Sequence, residues 1–253
     1  MNTTPLLLAL SLFAPMVYAQ DVRDAHASRY AFAPSGFSIP KDSAYLNVVG
    51  PLVDFQIGIT DHFSAGIGTP LFLGVYGTAS YGIKLAPQFH AKIGALAGVP
   101  VTGKGHFALP FAVGTYGTPS SNLSAGVGYL SFGGEDLLDI NSGIAFNASG
   151  YRAFGSRFGF TAEVWHFTSE DVTAILPAIR IFSRRSKSYF NVGCLNARYP
   201  EDEPTFLGYD TNFDGIVDTQ DPSLGGNHVY DYENLTRTWK RFTLPAFTFA
   251  YYL

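Results

Sequence analysis

The sequence has little charge, a single cysteine and no cluster of basic residues. Asp, Glu, Lys and Arg make up 14% of the 253 residues, against about 25% in a typical soluble domain. A net charge of −4 without a basic stretch excludes nucleic acid as a partner. Cys194 alone can form neither an internal disulfide nor a CxxC site. Because 47% of the residues are hydrophobic, we expect part of the protein to face a medium other than water.

The N-terminus predicts export. An apolar run from Pro5 to Pro15 is followed by the small-residue pattern Val17-Tyr18-Ala19, which is typical of signal-peptidase cleavage. The run is too short to cross a bilayer as a helix. Residues 1–19 are therefore predicted to be a signal peptide, and the alternative is a short hydrophobic anchor.

Two later uncharged stretches, Phe63 to Ile83 and Phe107 to Gly134, favour strands over membrane helices. Glycine and proline interrupt both at short intervals, and these residues disfavour a helix interior. The hexapeptide Phe63 to Gly68 recurs as Leu123 to Gly128, and there are looser copies at Phe89, Phe158 and Tyr189. Each copy follows a predicted polar turn, and these turns are at 60–62, 87–88, 119–122, 155–157 and 184–188. Such spacing suits hairpins built from membrane strands of about 9–11 residues.

Charge and apolarity alternate along the predicted strands, as two-faced strands require. From Ala44 to Ile59, read as one strand, the odd positions are mostly apolar and the even ones polar. This alternation fits lipid outside and a polar lumen inside, and equally a soluble β-sandwich or lipocalin-like barrel with an apolar core. The charged residues on the polar side of the predicted strands are Asp54, Lys84, Lys92, Glu163 and Arg180.

The strand count favours the membrane reading. With Arg29 to Phe37 as the first strand and Phe242 to Leu253 as the last, the count is twelve, and single-chain outer-membrane barrels have even numbers. Short turns alternate with longer connections, as in such barrels. We therefore predict one domain, residues 20–253, folded as an all-β, antiparallel, up-and-down transmembrane β-barrel of about twelve strands.

The start of the mature chain also resembles a known family. The segment RYAFAPSGF (29–37), Tyr45 and the turn GITDHFS (58–64) resemble exported outer-membrane β-barrel-like proteins of Gram-negative bacteria to which no activity is assigned. The resemblance spans most of residues 29–200. It implies a barrel fold and an outer-membrane location, and it implies no mechanism.

One motif carries recognisable chemistry. Residues 210–221, DTNFDGIVDTQD, match the twelve-residue EF-hand calcium loop, with Gly215 at the sharp turn of position 6. Position 12 is Asp, as in dockerin-type loops, and Pro222 prevents an ordinary following helix. We predict a single structural Ca²⁺ site, and the alternative is an acidic turn without specific binding. The predicted metal ligands are Asp210, Asn212, Asp214, Ile216 through its carbonyl oxygen, Asp218 and Asp221.

The charge distribution predicts where this motif lies. Residues 201–233 hold nine of the twenty acidic residues and no Lys or Arg. So acidic a segment cannot lie in hydrocarbon. Residues 200–240 are therefore predicted to be a long acidic external loop that calcium orders over the mouth of the barrel.

Catalytic patterns are weak. His62 with Ser64, and His166 with Ser169, are the available histidine–serine pairs, and no third group is identifiable to orient either one. The sequence predicts a non-enzymatic outer-membrane protein, namely a small porin, a surface binding protein or a structural component. Its expected partners are outer-membrane lipid and a small solute or extracellular partner. The alternatives are a secreted or periplasmic ligand-binding β protein and, more remotely, an outer-membrane lipid hydrolase.

Overall fold

The protein is described by a computed structural model covering residues 27–50, 52–70, 74–101, 105–134, 142–183, 188–210 and 227–253. The predicted signal peptide, residues 1–19, lies outside these ranges. Among the described residues, no helix is long and apolar enough to cross a membrane. The strands are β1 (Ala44–Val49), β2 (Leu52–Gly58), β3 (Phe63–Pro70), β4 (Gly74–Ala86), β5 (Phe89–Pro100), β6 (His106–Thr118), β7 (Ser121–Gly133), β8 (Gly143–Phe154), β9 (Phe158–Phe167), β10 (Val172–Phe182), β11 (Ser188–Asp210) and β12 (Asn227–Tyr252).

The twelve strands form one closed antiparallel barrel. Each strand pairs with the next along the chain, and β1 closes the ring by pairing with β12. Across that closure Asn47 lies opposite Ala250, and Val48 lies opposite Phe249. The predicted all-β, up-and-down barrel of twelve strands is confirmed, and the alternative of a two-sheet sandwich is wrong.

The predicted positions of the first two strands are wrong, although their number is right. Residues 29–37 form no strand of the barrel, and residues 44–58 hold two strands, β1 and β2, with a turn at Gly50 after β1. Gly50 has a φ of +51°, a left-handed conformation that glycine adopts readily. Because the chain reverses there, Asn47 lies opposite Asp54 and both face the interior.

The two faces of the sheet differ in polarity. Side chains with large apolar surface point outward and are exposed, among them Ile67, Ile93 and Phe247, each 62% exposed. The inward side chains include Asp54 and Glu163, 2% and 0% exposed. Alternation along each strand separates the two sets, as the sequence predicts. The soluble alternative placed the apolar rows in a core, and the structure places them on the outside of the barrel.

The two longest connections, between β7 and β8 and between β11 and β12, lie at one end of the barrel, together with short ones such as that between β1 and β2. At the other end, which we call the short-turn end, all five connections have two to five residues. They lie between β2 and β3, β4 and β5, β6 and β7, β8 and β9, and β10 and β11, at the five positions that the polar turn residues predict. Leu253 exchanges backbone hydrogen bonds with Ala44 at the same end. The chain before β1 therefore enters the barrel from the short-turn end.

Compactness divides the chain into two units, of which Arg198–Phe242 is the smaller. Within this unit the Arg198 guanidinium lies 3.9 Å from the ring centre of Trp239. The Lys240 ammonium nitrogen lies 3.7 Å from a carboxylate oxygen of Glu201. The sequence predicts a loop over 200–240, but residues 200–210 and 227–240 belong to β11 and β12. Strand pairing satisfies the backbone hydrogen bonds whatever the charge of the side chains, so acidity alone did not exclude strand structure.

Candidate functional site: a lumen closed by the N-terminal segment

Residues 27–41 form what we call the plug segment, which runs inside the barrel as far as the buried Ile39, whereas Pro40 and Lys41 are exposed. Their core is a tight reversal in which the Tyr30 N–H donates to the Ala33 carbonyl and the Ser35 N–H to the Ser28 carbonyl, each at 2.9 Å. Ala33 and Ser35 are completely buried. A short chain reversal with buried backbone needs hydrogen-bond partners from outside itself, and the inner wall of the barrel supplies them.

Glu163 on β9 is the main attachment point of the plug segment. Its carboxylate accepts hydrogen bonds from three consecutive backbone N–H groups: Ala31, Phe32 at 2.9 Å and Ala33 at 3.0 Å. The indole N–H of Trp165 donates to the same carboxylate at 3.1 Å. Three converging N–H dipoles form an anion-binding concavity, so this completely buried carboxylate is fully solvated by the protein.

Arg29 forms the second attachment, on β2. Its guanidinium is paired with the Asp54 carboxylate, whose side chain is 3% exposed, while the Arg29 side chain is 17% exposed. In the amide orientation that satisfies both of its polar atoms, Asn47 accepts from Arg29 at 2.9 Å. The Arg29 guanidinium also lies 5.5 Å from the ring centre of Tyr45. The charge of Arg29 is therefore matched by one carboxylate of the barrel wall.

Tyr30 and Gly36 attach the plug segment to β6 and β7. The Tyr30 hydroxyl donates to the Asn122 side-chain oxygen and also bonds Ser124, both at 2.6 Å. Desolvation by burial raises the pKa of Tyr30, so the hydroxyl stays protonated and able to donate. The Gly36 N–H donates to the Thr115 hydroxyl at 2.6 Å. The plug segment therefore contacts opposite walls of the barrel.

Arg180 on β10 completes the ring of contacts. Its guanidinium lies 4.0 Å and 4.8 Å from the ring centres of Tyr189 and Tyr151. It donates to the Asn191 side chain at 3.0 Å and to the Arg29 carbonyl at 3.4 Å. Cation–π contacts compensate part of the lost hydration of a buried cation. Arg180 therefore contacts both the wall of the barrel and the backbone of the plug segment.

Glycines of the wall make room for the end of the plug segment. A Cβ on Gly58 would lie 2.1 Å from the Pro40 carbonyl oxygen, and one on Gly82 would lie 2.5 Å from the Ser38 hydroxyl oxygen. Both glycines stand at inward positions of their strands. Without side chains there, the wall lets the extended residues 38–40 pass directly against it.

A cavity of about 390 Å³ lies in the lumen beside the plug segment. Arg29 and Phe32 of the plug segment line one side of it, and Val49 and Phe167 lie near the end opposite the short turns. Most of the remaining lining is apolar. Lys92 on β5 also lines the cavity and is 5% exposed.

The structure does not test the predicted calcium ligands. Asp210 is the last residue of β11, and only its backbone is described. Among the described residues, no group of three or more His, Cys, Asp or Glu side chains could hold a metal ion. The other predicted ligands, namely Asn212, Asp214, Ile216, Asp218 and Asp221, lie outside the described residues.

The histidine–serine pairs do not assemble. The His62 ring bonds the Gly82 carbonyl at 3.0 Å, and the Ser64 hydroxyl bonds Ser80 at 2.8 Å. The His166 ring bonds the Thr173 hydroxyl at 3.1 Å. Neither histidine is thus hydrogen-bonded to a serine, and the arrangement needed to activate a serine nucleophile is not formed.

Sequence reasoning missed the plug segment because its residues alternate like a strand. In RYAFAPSGF the consecutive residues Pro34-Ser35-Gly36 are a turn signal in the middle of the supposed strand. That signal argued against a nine-residue strand. The carboxylate that binds the plug segment lies about 130 residues away in sequence. No local sequence pattern therefore identifies this contact.

Comparison with known proteins gives one structural likeness. No protein-family model matches this chain, and no curated protein matches it. Among solved structures, the chain is similar to the NanC porin in its rhombohedral crystal form, at a TM-score of 0.43 and 12% sequence identity. The alignment covers 83% of this chain and 98% of the porin chain.

Proposed function

We propose that this protein is a non-enzymatic, integral outer-membrane β-barrel that acts as a small gated channel, closed by its own plug segment. The observation that carries the membrane assignment is the inverted polarity of the wall. The exposed surface is rich in Ile, Val and Phe, while Asp54, Lys92, Glu163 and Arg180 are buried inside. A protein surrounded by water gains stability from the opposite arrangement.

Aromatic residues near the short turns support the same proposal. Cross-strand neighbours on the outer face pair Phe63 with Tyr81, Phe89 with Tyr116, and Phe154 with Phe158. All six are between 37% and 61% exposed. Outer-membrane barrels carry aromatic girdles at the membrane interfaces, and these pairs supply one at the short-turn end.

The plug segment supports gating. Its attachments through Glu163, Asp54 and Tyr30 are hydrogen bonds and one ion pair. Its apolar side chains Phe37 and Ile39 are also buried against the wall. Polar attachments can be exchanged for water or for a ligand at little net cost. Release of residues 27–41 would therefore open the lumen without unfolding the wall.

Planar-bilayer conductance tests the proposal. We expect low conductance for the natural protein and a higher, steady conductance for a variant carrying Glu163→Gln together with Asp54→Asn, because both main attachments are weakened. Heat-modifiable gel migration establishes that each protein is a folded barrel. Equal conductance of the two folded proteins, whether both open or both silent, would contradict a plug that gates the channel.

We further propose that Ca²⁺ binds residues 210–221 and stabilises the connection between β11 and β12 on the outer side of the membrane. The ligand spacing of the motif and the excess of acidic residues in 201–233 support this. Isolated extracellular modules of this kind bind with a Kd of about 10⁻⁴–10⁻³ M. The predicted signal peptide, residues 1–19, provides the export that the location requires.

Titration calorimetry tests the calcium proposal. We expect calcium heat from the natural protein and its loss in Asp214→Ala, because position 5 contributes a carboxylate ligand. Asp231→Ala removes an acid of the same segment outside the motif and should retain binding. No calcium heat from the natural protein, or equal heat from both variants, would contradict the site.

A further inference from the structure

The cavity in the lumen combines apolar walls with one buried ammonium group. Leu96, Leu109, Phe111 and Phe167 are among its lining residues. Lys92 stands on the polar face of β5, opposite Gly82 of β4, and points into this space. The cavity therefore offers apolar contact to a chain and, beside the Arg29–Asp54 ion pair that also lines it, one ammonium group to a headgroup.

Lys92 has no hydrogen-bond or ion-pair partner in the part of the chain that the structure describes. Asp54 is engaged by Arg29, and Glu163 is engaged by backbone N–H groups and Trp165. Counting the largely buried Arg29, the described interior holds three cations and two carboxylates. The surplus positive charge is that of Lys92.

An unpaired ammonium in an apolar interior is costly, and an anion that enters the same space relieves the cost. A small inorganic anion would satisfy the charge but leave the apolar wall unused. An apolar ligand without charge would contact the apolar wall but leave the ammonium group unpaired. Only an amphiphile with one negative headgroup uses both features of the cavity.

We infer that the cavity binds a single-chain carboxylate, with the headgroup paired to Lys92 and the chain lying along the apolar wall toward Phe167. The inference rests on the proposed channel function and names the class of solute that enters the lumen. The cavity of about 390 Å³ lies near the lower end of the range of about 300–1,000 Å³ for small-molecule sites. That size suits a medium-length chain and is too small for a two-chain phospholipid.

Contact with the plug segment gives such a solute a way to act on the gate. Arg29 and Phe32 line the cavity from the plug side, and the Phe32 N–H is one of the three that bind Glu163. A second carboxylate in the cavity would compete with Asp54 for Arg29. The bound solute would thereby weaken the plug attachment that closes the channel.

Quenching of Trp165 by a brominated ligand tests the inference. The chain has two tryptophans, so Trp239→Phe leaves Trp165, which lines the cavity, as the only source of tryptophan fluorescence. The full-length protein is inserted into vesicles of zwitterionic phospholipid and titrated with 10-bromodecanoate or with neutral 10-bromodecanol. We expect saturable quenching by the carboxylate at lower concentration than by the alcohol.

Variants of Lys92 separate charge from shape. Lys92→Met keeps a similar volume and should weaken bromodecanoate binding by about tenfold or more, the loss expected for one charged hydrogen bond. It should leave bromodecanol binding unchanged. Lys92→Arg should retain carboxylate binding. Thr78→Val, which changes another polar side chain of the same cavity without changing charge, should bind bromodecanoate like the parent.

Two results distinguish this inference from the proposed function. If the protein inserts and shows heat-modifiable migration, but the carboxylate and the alcohol quench equally in the parent and in Lys92→Met, the ligand assignment is overturned and the barrel stands. If the protein fails to insert into vesicles, the membrane proposal itself fails and the ligand assignment fails with it.

Discussion

At the scale of single residues, each buried charge of the lumen has a different environment. Among the residues that the structure describes, Glu163 pairs with no cation and instead accepts four N–H groups, three of them from the backbone of the plug segment. Asp54 is matched by Arg29. Arg180 is held between two tyrosine rings. Such partners offset the cost of burying a charge, so removal of one partner leaves the other to bear that cost alone.

Glu163→Gln is expected to lower the free energy of unfolding by about 1.5–3 kcal/mol, the range for hydrogen bonds to charged groups. The carboxylate accepts the four N–H groups with two oxygens, whereas a glutamine side chain has only one oxygen that can accept. Urea titration of the barrel in vesicles measures the loss, and trypsin cleavage at Arg29 reports release of the plug segment. Glu201→Gln is the control, because its exposed pair with Lys240 is of a kind worth about 0–1 kcal/mol. Equal effects of the two substitutions would contradict the role given to Glu163.

Arg29→Met is expected to destabilise the protein by about 3 kcal/mol, because it leaves the Asp54 carboxylate buried without its counter-charge. Asp54→Leu in the same chain should recover part of that loss, because no lone charge then remains. The two single variants and the double variant form a thermodynamic cycle in urea. Strictly additive losses would show that the pair contributes no coupling.

At the scale of elements, the plug segment differs from the wall because it takes no part in the strand pairing of the barrel. Its residues pass next to wall glycines, at distances that admit no side chain. The wall hairpins, by contrast, are regular and pair only with their neighbours in sequence. Such local pairing favours independent formation of the wall, with the plug segment docking onto inward side chains that the closed barrel brings together.

Gly58→Ala is expected to destabilise the docked plug segment by about 1–3 kcal/mol, the usual cost of overpacking, because the new Cβ would lie 2.1 Å from the Pro40 carbonyl oxygen. Gly77→Ala is the matched control, since the nearest atom to its Cβ would be 3.9 Å away. Thermal shift of heat-modifiable migration and conductance compare the two. A larger effect from Gly77→Ala would place the plug segment elsewhere.

At the scale of the whole molecule, the question is which medium covers the outer wall. Exposure by itself does not distinguish water from lipid, but the penalty for a new charge does. In a soluble protein, charged substitutions at exposed sites change stability by no more than about 0.5 kcal/mol. On the lipid face of a barrel the penalty depends on depth.

Ile67→Arg and Val101→Arg make that comparison at positions of similar exposure, 62% and 70%. Ile67 lies in the middle of β3, and Val101 lies just beyond the end of β5. We expect a loss of about 2–4 kcal/mol at Ile67 and of about 0–1 kcal/mol at Val101, measured by urea titration in vesicles. Small and equal losses at both positions would contradict a hydrocarbon environment.

Much of the fold could be predicted from the sequence. Side-chain alternation identified the inward positions of Asp54, Lys92, Glu163 and Arg180, and polar turn residues located the five short turns. These signals are local, because the strand period and turn chemistry act over a few residues. The first strand was misplaced for the same reason, because the plug segment imitates a local strand pattern and the turn at Gly50 was passed over. The two errors cancelled, which left the count at twelve.

The sequence by itself determined the strand period, the turns and the polarity of each face, because all three depend on neighbouring residues. Only the tertiary structure decided what fills the lumen. The carboxylate of Glu163 and the backbone of Ala31 to Ala33 meet across 130 or more positions in sequence. Of the two buried carboxylates that the described part of the barrel holds, neither is left for Lys92, because Asp54 pairs with Arg29 and Glu163 accepts N–H groups. Such pairings follow from closure of the barrel in space, which no short pattern of residues encodes.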